Sequence, residues 1–282
     1  MRASWTFGLA ALLALTGAQG TPPADQVVAC LATGRPAIRW ELPPLFREVS
    51  GLALHDDGRL FLHNDERAIV AAVDTATGRV TASYQLGAVP ALGDFEGVAI
   101  AGPSLFLVTS AGVLYQVPVP RVGQPSGALP VTVTPTGVGQ FCEVEGLAHD
   151  ARDRVLLLAC KTPRAKDLGR DVAVYRWSIE RRALAVPARV VVPRSDLARS
   201  RKAADFHSSS IEVDSRTGRW ILITSADRAV AAVERTGQVV AVAPLGGRHP
   251  QPEGLAIDRR GRVFVSDEGA KGPGSIAVYA CR

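Results

Sequence analysis

Aromatic residues make up only 6% of the chain, and Lys161, Lys166, Lys202 and Lys271 are the only lysines among its 32 basic residues. With no aromatic side chains interleaved among the arginines there is no platform for stacked bases, so nucleic acid is not an expected partner. Beyond Leu15 no apolar run approaches the roughly 20 residues of a spanning helix, because charge, Pro or Gly interrupts each one. The four cysteines show neither C-x2-C nor C-x4-C spacing, which argues against zinc and iron–sulfur frameworks. Gly-x-Ser-x-Gly, His-Glu-x-x-His and phosphate-loop motifs are all missing. Disorder is excluded by the 47% hydrophobic content.

The N-terminus has the pattern of an export signal: Arg2, an apolar run from Phe7 to Leu15, then Ala18-Gln19-Gly20 with small residues at both cleavage positions. Cleavage after Gly20 leaves 262 residues, 21–282, expected to form one domain with no transmembrane segment. A periplasmic or secreted location follows, and the even set of Cys30, Cys142, Cys160 and Cys281 suits two disulfides there. A competing reading makes Val27-Val28-Ala29-Cys30 a lipid-attachment site, which would leave an odd thiol. The net charge is +5, and the one dense basic stretch holds Arg181, Arg182, Arg189, Arg194, Arg199, Arg201 and Lys202 against Asp196 alone. It reads as a solvated loop or as a surface for an anionic ligand.

Internal repetition carries the most information. Ser50-Gly51-Leu52-Ala53, Glu96-Gly97-Val98-Ala99, Glu145-Gly146-Leu147-Ala148, Ser209-Ser210-Ile211-Glu212 and Glu253-Gly254-Leu255-Ala256 are five copies of one strand signature. Their spacings, taken at the glycine column, are 46, 49, 64 and 44 residues. Each copy leads through a polar turn into a second β-rich run: Arg59 to His63, Leu105 to Thr109, Val155 to Ala159, Trp220 to Thr224 and Arg262 to Ser266. Four short strands per unit of this length describe a propeller blade. The expected fold is all-β, a five-bladed β-propeller whose last blade is completed by an N-terminal strand; six blades, with a degenerate unit in the long fourth step, is the alternative. Ring closure would place Cys30 and Cys281 in adjacent strands of the shared blade. A hairpin turning at Asp150 to Asp153 would set Cys142 opposite Cys160.

In a propeller the innermost strand comes first, so the residue before each glycine faces the axis. Those residues are Ser50, Glu96, Glu145, Ser209 and Glu253, and two positions earlier stand Glu48, Asp94, Glu143, His207 and Gln251. All ten are polar. Carboxylates crowded in a narrow channel must bind protons or hold a cation. Hard oxygen donors without paired histidines favour calcium. The expected ligands come from Glu48, Glu96, Glu145 and Glu253, assisted by Asp65 or Glu268; Ser50, Asp94, Glu143, His207, Ser209 and Gln251 complete the channel lining. The alternative is that Glu-Gly only marks a solvated turn into each strand. Lys161 and Ser266-Asp267-Glu268 are expected at the same rim, with His63 and His207 as acid–base candidates.

Glu48-Val49-Ser50-Gly51-Leu52-Ala53, His63-Asn64-Asp65-Glu66, Asp94-Phe95-Glu96-Gly97-Val98-Ala99 and Gln251-Pro252-Glu253-Gly254, followed by Val265-Ser266-Asp267-Glu268, resemble the SdiA-regulated family of exported bacterial propellers. That resemblance covers roughly residues 40 to 280 and implies a five-bladed ring with a bound calcium ion and no established reaction. More distantly the chain is similar to NHL-repeat proteins, which bind partners, and to calcium-dependent lactonases. In the lactonases a Glu-Gly at the start of an inner strand supplies a metal ligand, a pattern matched by Glu96, Glu145 and Glu253. Both cysteine pairs and the arginine-rich insertion depart from those patterns. Two functions are expected in competition: a monomeric binding module meeting a protein or small molecule at the channel mouth, or a calcium-dependent hydrolase of lactones, esters or phosphate esters. No catalytic residue is identifiable.

Overall fold

The structure, a computed structural model, describes Met1 and residues 25–198 and 206–281. The export signal and three members of the basic stretch, Arg199, Arg201 and Lys202, lie outside the described residues.

Five sheets form the blades of a propeller, antiparallel except where Gly127–Leu129 adds parallel to Val80–Leu86 at the outer edge of the first. Their innermost strands are Val49–Leu54, Phe95–Ala101, Cys142–Asp150, Ser210–Val213 and Pro252–Ile257, in chain order blades 1 to 5. The second strands, such as Leu-rich Val155–Pro163 in blade 3 and Trp220–Thr224 in blade 4, read as near-continuous apolar runs because a neighbouring blade covers each face. Third strands mix alanine with β-branched residues, as in Ile69–Asp74 and Ala229–Val233. Small side chains at these positions let blades approach closely. Five hydrophobic clusters fill the five blade–blade interfaces, the one between blades 3 and 4 built on Leu157, Val174, Leu222 and Ala231.

The glycine column is the waist of the ring. A Cβ at Gly97 would stand 2.7 Å from the backbone nitrogen of Leu147 in the next blade, and one at Gly254 only 2.5 Å from the Ser50 carbonyl. Inner strands therefore meet backbone to backbone where only glycine fits. Blade 4 has Ser210 in the column, and there the Ser209 hydroxyl ties the ring by donating to the Pro252 carbonyl at 2.8 Å.

Closure follows the expected route with one correction. Strand Ile38–Glu41 pairs with Ser275–Ala280 as the outermost strand of blade 5, so no free edge remains at the join. Cys30, however, lies in the helix Gln26–Thr33 and not in a strand. Asp25 caps that helix, accepting from Val27 N at 2.9 Å and Val28 N at 3.2 Å, and its other carboxylate oxygen pairs with Arg219. Val27, Val28 and Leu31 pack between blades 4 and 5, which brings Cys30 to Cys281 with their Cα atoms 5.5 Å apart in a disulfide. A bridged Cys30 removes the lipid-attachment reading.

Cys142 and Cys160 are also bridged, at a Cα separation of 5.7 Å. They are not directly opposite: Cys142 faces Pro163 and Cys160 faces Val144, because the hairpin turns one step later than expected and carries a bulge between them. The long fourth step holds no sixth sheet among the described residues. It is taken up by the long strands of blade 3, ending in Ala183–Val192, and by the short helix Arg194–Leu197.

Candidate cation site at the acidic channel mouth

One irregularity, repeated, builds the site. In blades 2, 3 and 5 the ladder between the first and second strands skips a residue: Phe95 faces Thr109 while Gly97 faces Val108, Val144 faces Cys160 while Gly146 faces Ala159, and Pro252 faces Asp267 while Gly254 faces Ser266. The unpaired residues are Glu96, Glu145 and Glu253. Blade 1 carries the same irregularity across Ser50 and Gly51. A bulge leaves its extra residue out of the ladder and re-aims the side chain, and here it delivers one carboxylate from each of blades 2, 3 and 5 to the axis just above the glycine waist.

Lys161 sits at the centre of the carboxylates. Its Nζ lies 2.5 Å from Glu145 Oε1 and 3.9 Å from Glu143 Oε1, with Glu145 only 3% exposed. The other acids lack such a partner. Burial, then the charges of Glu145 and Asp94, holds the Glu96 carboxyl well above the ordinary range. Glu145 is raised by burial as well, but the Lys161 ammonium opposes this, so the proton of this pair of acids belongs on Glu96. Glu253 is pushed up to about 8 by burial and by Glu268; Glu268 to about 7 by burial with Asp65 and Glu48; Asp65 to about 6 by burial and Glu48. All six expected ligand residues, Glu48, Asp65, Glu96, Glu145, Glu253 and Glu268, thus belong to one electrostatic cluster.

Of the expected lining, Ser50 reaches Glu96 at 3.5 Å, Asp94 and Glu143 flank the acids, and Gln251 hydrogen-bonds to Glu268. His207 is at the rim, Nδ1 2.9 Å from the Lys161 carbonyl. Ser209 spends its hydroxyl on ring closure. His63 is not at the mouth: it is fully buried, accepts from Gly51 N through Nε2 at 2.8 Å, and burial lowers it to about 4. A neutral, occupied imidazole is no acid–base group. Asp267 is likewise internal, held by Arg39 at 2.9 Å and His249 at 2.8 Å, with His249 reaching Tyr279 Oη at 2.6 Å. Sequence reasoning placed Asp267 at the rim and missed His249, whose network with Asp267 and Tyr279 fastens the closing blade.

As a home for calcium, the mouth fits in chemistry: hard oxygens, surplus negative charge, and buried oxygens of Asn64 (Oδ1), Asp65 (Oδ1) and Thr224 (Oγ1) without a hydrogen-bond partner. In position, no three Asp, Glu, His or Cys side chains among the described residues surround a single point, and the Lys161 ammonium occupies the pole of the cluster.

Comparison with solved structures shows the same architecture. Glutaminyl cyclase from Myxococcus xanthus superposes with a TM-score of 0.60 at 16% identity, over 86% of this chain and 94% of that one. A luciferin-regenerating enzyme superposes at 0.54 and 7% identity, over 86% and 95% of the two chains. At these identities the likeness is one of fold. No curated protein matches the chain. The SdiA-regulated family model matches residues 35–271, spanning all five inner strands and the bulged glutamates; the chain belongs to the SdiA-regulated family.

Proposed function

We propose that this protein is an exported binding module whose acidic mouth takes up a calcium ion, and through it a ligand from the cell envelope. The observation that carries the reading is the set of bulge-directed carboxylates, Glu96, Glu145 and Glu253, crowded with Glu268 and Asp65 around a single ammonium. Carboxylates this close either keep protons or share a cation. Glu96, Glu145, Glu253 and Glu268 would hold the ion, assisted by Glu48 or Asp65; they would have to draw together around it and take the place at Glu145 that the Lys161 ammonium now fills. Calcium, when bound, would neutralise the mouth and offer open coordination to an oxygen-bearing ligand. Two disulfides point to an oxidising compartment, in keeping with periplasmic or secreted placement. Among the described residues no helix is long and apolar enough to cross a membrane.

A second reading has one observation in its favour: Glu96 retains a proton at neutral pH beside an ammonium–carboxylate pair, which is acid–base equipment. It makes the protein a hydrolase of lactones, esters or phosphate esters. Enzymes occur on this architecture, the glutaminyl cyclase among them, so the fold does not choose. Melting curves with calcium and with a chelator, for wild type and Glu145→Gln, test the cation site: binding to the native state raises the melting temperature, and the rise should vanish in the variant. A parallel screen against lactones, aryl esters and phosphate esters separates the two readings. Turnover abolished by both chelator and Glu145→Gln would replace the binding module with the hydrolase.

A further inference from the structure

Below the glycine waist, on the face opposite the acidic mouth, the channel opens again into a cavity of about 540 Å³. All five blades build it. Its wall comes from the far ends of inner strands and their turns: Leu54, Val98, Ile100, Leu147 and Ile257 supply an apolar lining, and His149 and Glu212 stand among them. Its size is that of a small-molecule pocket, and its surface is divided about evenly between the aliphatic side chains of the inner strands and the polar and charged side chains of the turns.

Charge at the rim is matched pair by pair, with one exception. Asp258 holds Arg262 at 2.7 Å, Asp56 holds Arg259 at 2.9 Å, and Asp57 holds Arg59 at 2.7 Å and His55 at 2.9 Å. Arg260 alone has no acidic partner among the described residues; its backbone N–H donates to Asp258 Oδ1 at 2.8 Å, which fixes its place on the turn and leaves the guanidinium exposed. Inside, Glu212 Oε1 accepts from Val213 N at 2.7 Å, and the other oxygen makes no hydrogen bond among the described residues. Burial, reinforced by the Asp214 charge, raises this carboxyl to about 8, so at neutral pH it is a hydrogen-bond donor and not an anion. Burial also lowers His149, keeping it uncharged. The deep polar groups are therefore uncharged, aliphatic side chains share the wall with them, and the one uncompensated charge at the rim is positive.

We propose that this cavity is a second binding site, for a small monocarboxylate with an apolar body, its carboxylate drawn to Arg260 at the rim and its alkyl or aryl part lodged against Leu54, Val98, Ile100, Leu147 and Ile257. A cation has no counter-charge there, because each rim aspartate is already paired. A dianion would strand one charge against the aliphatic side chains. The site is separate from the acidic mouth, and its occupancy does not depend on calcium.

Calorimetric and NMR titration of the mature protein with octanoate and 4-phenylbutyrate, against octylamine and octanol as controls, tests this in the presence of a chelator. Both acids should bind with one site per chain, at least tenfold tighter than the amine or the alcohol. Arg260→Ala, at an exposed side chain with no acidic partner among the described residues, should weaken the acids at least tenfold and leave octanol unchanged; Ile100→Asn, in the aliphatic lining, should weaken the acids and octanol alike. The proposal is overturned if neither acid binds at 10-fold lower concentration than octylamine, or if both variants bind octanoate as wild type does. Shifted resonances confined to the acidic mouth would also overturn it.

Discussion

At the residue scale the decisive pair is a glutamate followed by a glycine. The glycine lets one inner strand touch the next, and the preceding bulge turns the glutamate to the axis. Gly97→Ala tests the first half. With Leu147 N and Cβ at 2.7 and 2.8 Å from the new methyl and no flexible side chain to move, the ring must open, and we expect a loss of about 2–4 kcal/mol in urea unfolding. A loss below about 0.5 kcal/mol would show that the waist is not tightly packed. Glu212 supplies a pH test away from the mouth. Its carboxyl titrates at about 8 in the folded chain against 4.5 ordinarily, so it contributes fully to stability below pH 4.5 and loses that contribution as pH rises to about 8. Glu212→Gln, which cannot ionise, should match wild type near pH 4 and exceed it at pH 8.5 by about 1–3 kcal/mol. A constant difference between the two proteins across that range would contradict the assignment.

At the element scale, repeats read from sequence because the blades answer to the same two constraints, a small residue at the waist, glycine in four of the five, and an apolar second strand between two neighbours. Those constraints leave marks at fixed spacing, and the second strands fall within a residue or so of their expected limits in four blades, Trp220–Thr224 without change. What escaped were features set by a single local choice. The helix Gln26–Thr33 is one: Asp25 before Val27, Val28 and Leu31 is a capping signal, but eight residues without repetition do not stand out beside five blades. The bulges are another, since one skipped residue changes no composition. It shifts which side chains face each other, setting Val144 opposite Cys160, while the later turn sets Cys142 opposite Pro163, so the two cysteines join diagonally and not head-on. The Cys30–Cys281 bridge closes nearly the whole chain, with a sequence separation of 251. Replacing both cysteines by serine should cost about 4–5 kcal/mol. Faster hydrogen exchange should appear first in residues 26–41. Unchanged stability after the double replacement would mean that packing of Val27, Val28 and Leu31 alone holds the closure.

At the scale of the whole molecule the waist divides one axis into two unlike ends. Above it stand partly protonated carboxylates beside Lys161; below it lies a cavity part aliphatic and part polar, its rim aspartates paired and the Arg260 guanidinium without an acidic partner among the described residues. The acidic end was legible in the sequence because its residues adjoin the glycine column and inherit its spacing. Lys161 was visible only as a rim residue; its place between Glu143 and Glu145 depends on the second strand of blade 3 folding back across them. The lower cavity left no comparable mark, since its polar members, His55, His149, Glu212 and Arg260, occupy different positions in their repeats. Direct titration of calcium into the mature, chelator-stripped protein by isothermal calorimetry tests the central claim, that the bulge-directed glutamates form a cation site. The account predicts one ion per chain with a dissociation constant of about 10⁻³ M or tighter, and at least tenfold weaker binding in both Glu145→Gln and Glu253→Gln. Absence of binding at millimolar calcium, or equal affinity in wild type and both variants, would contradict it.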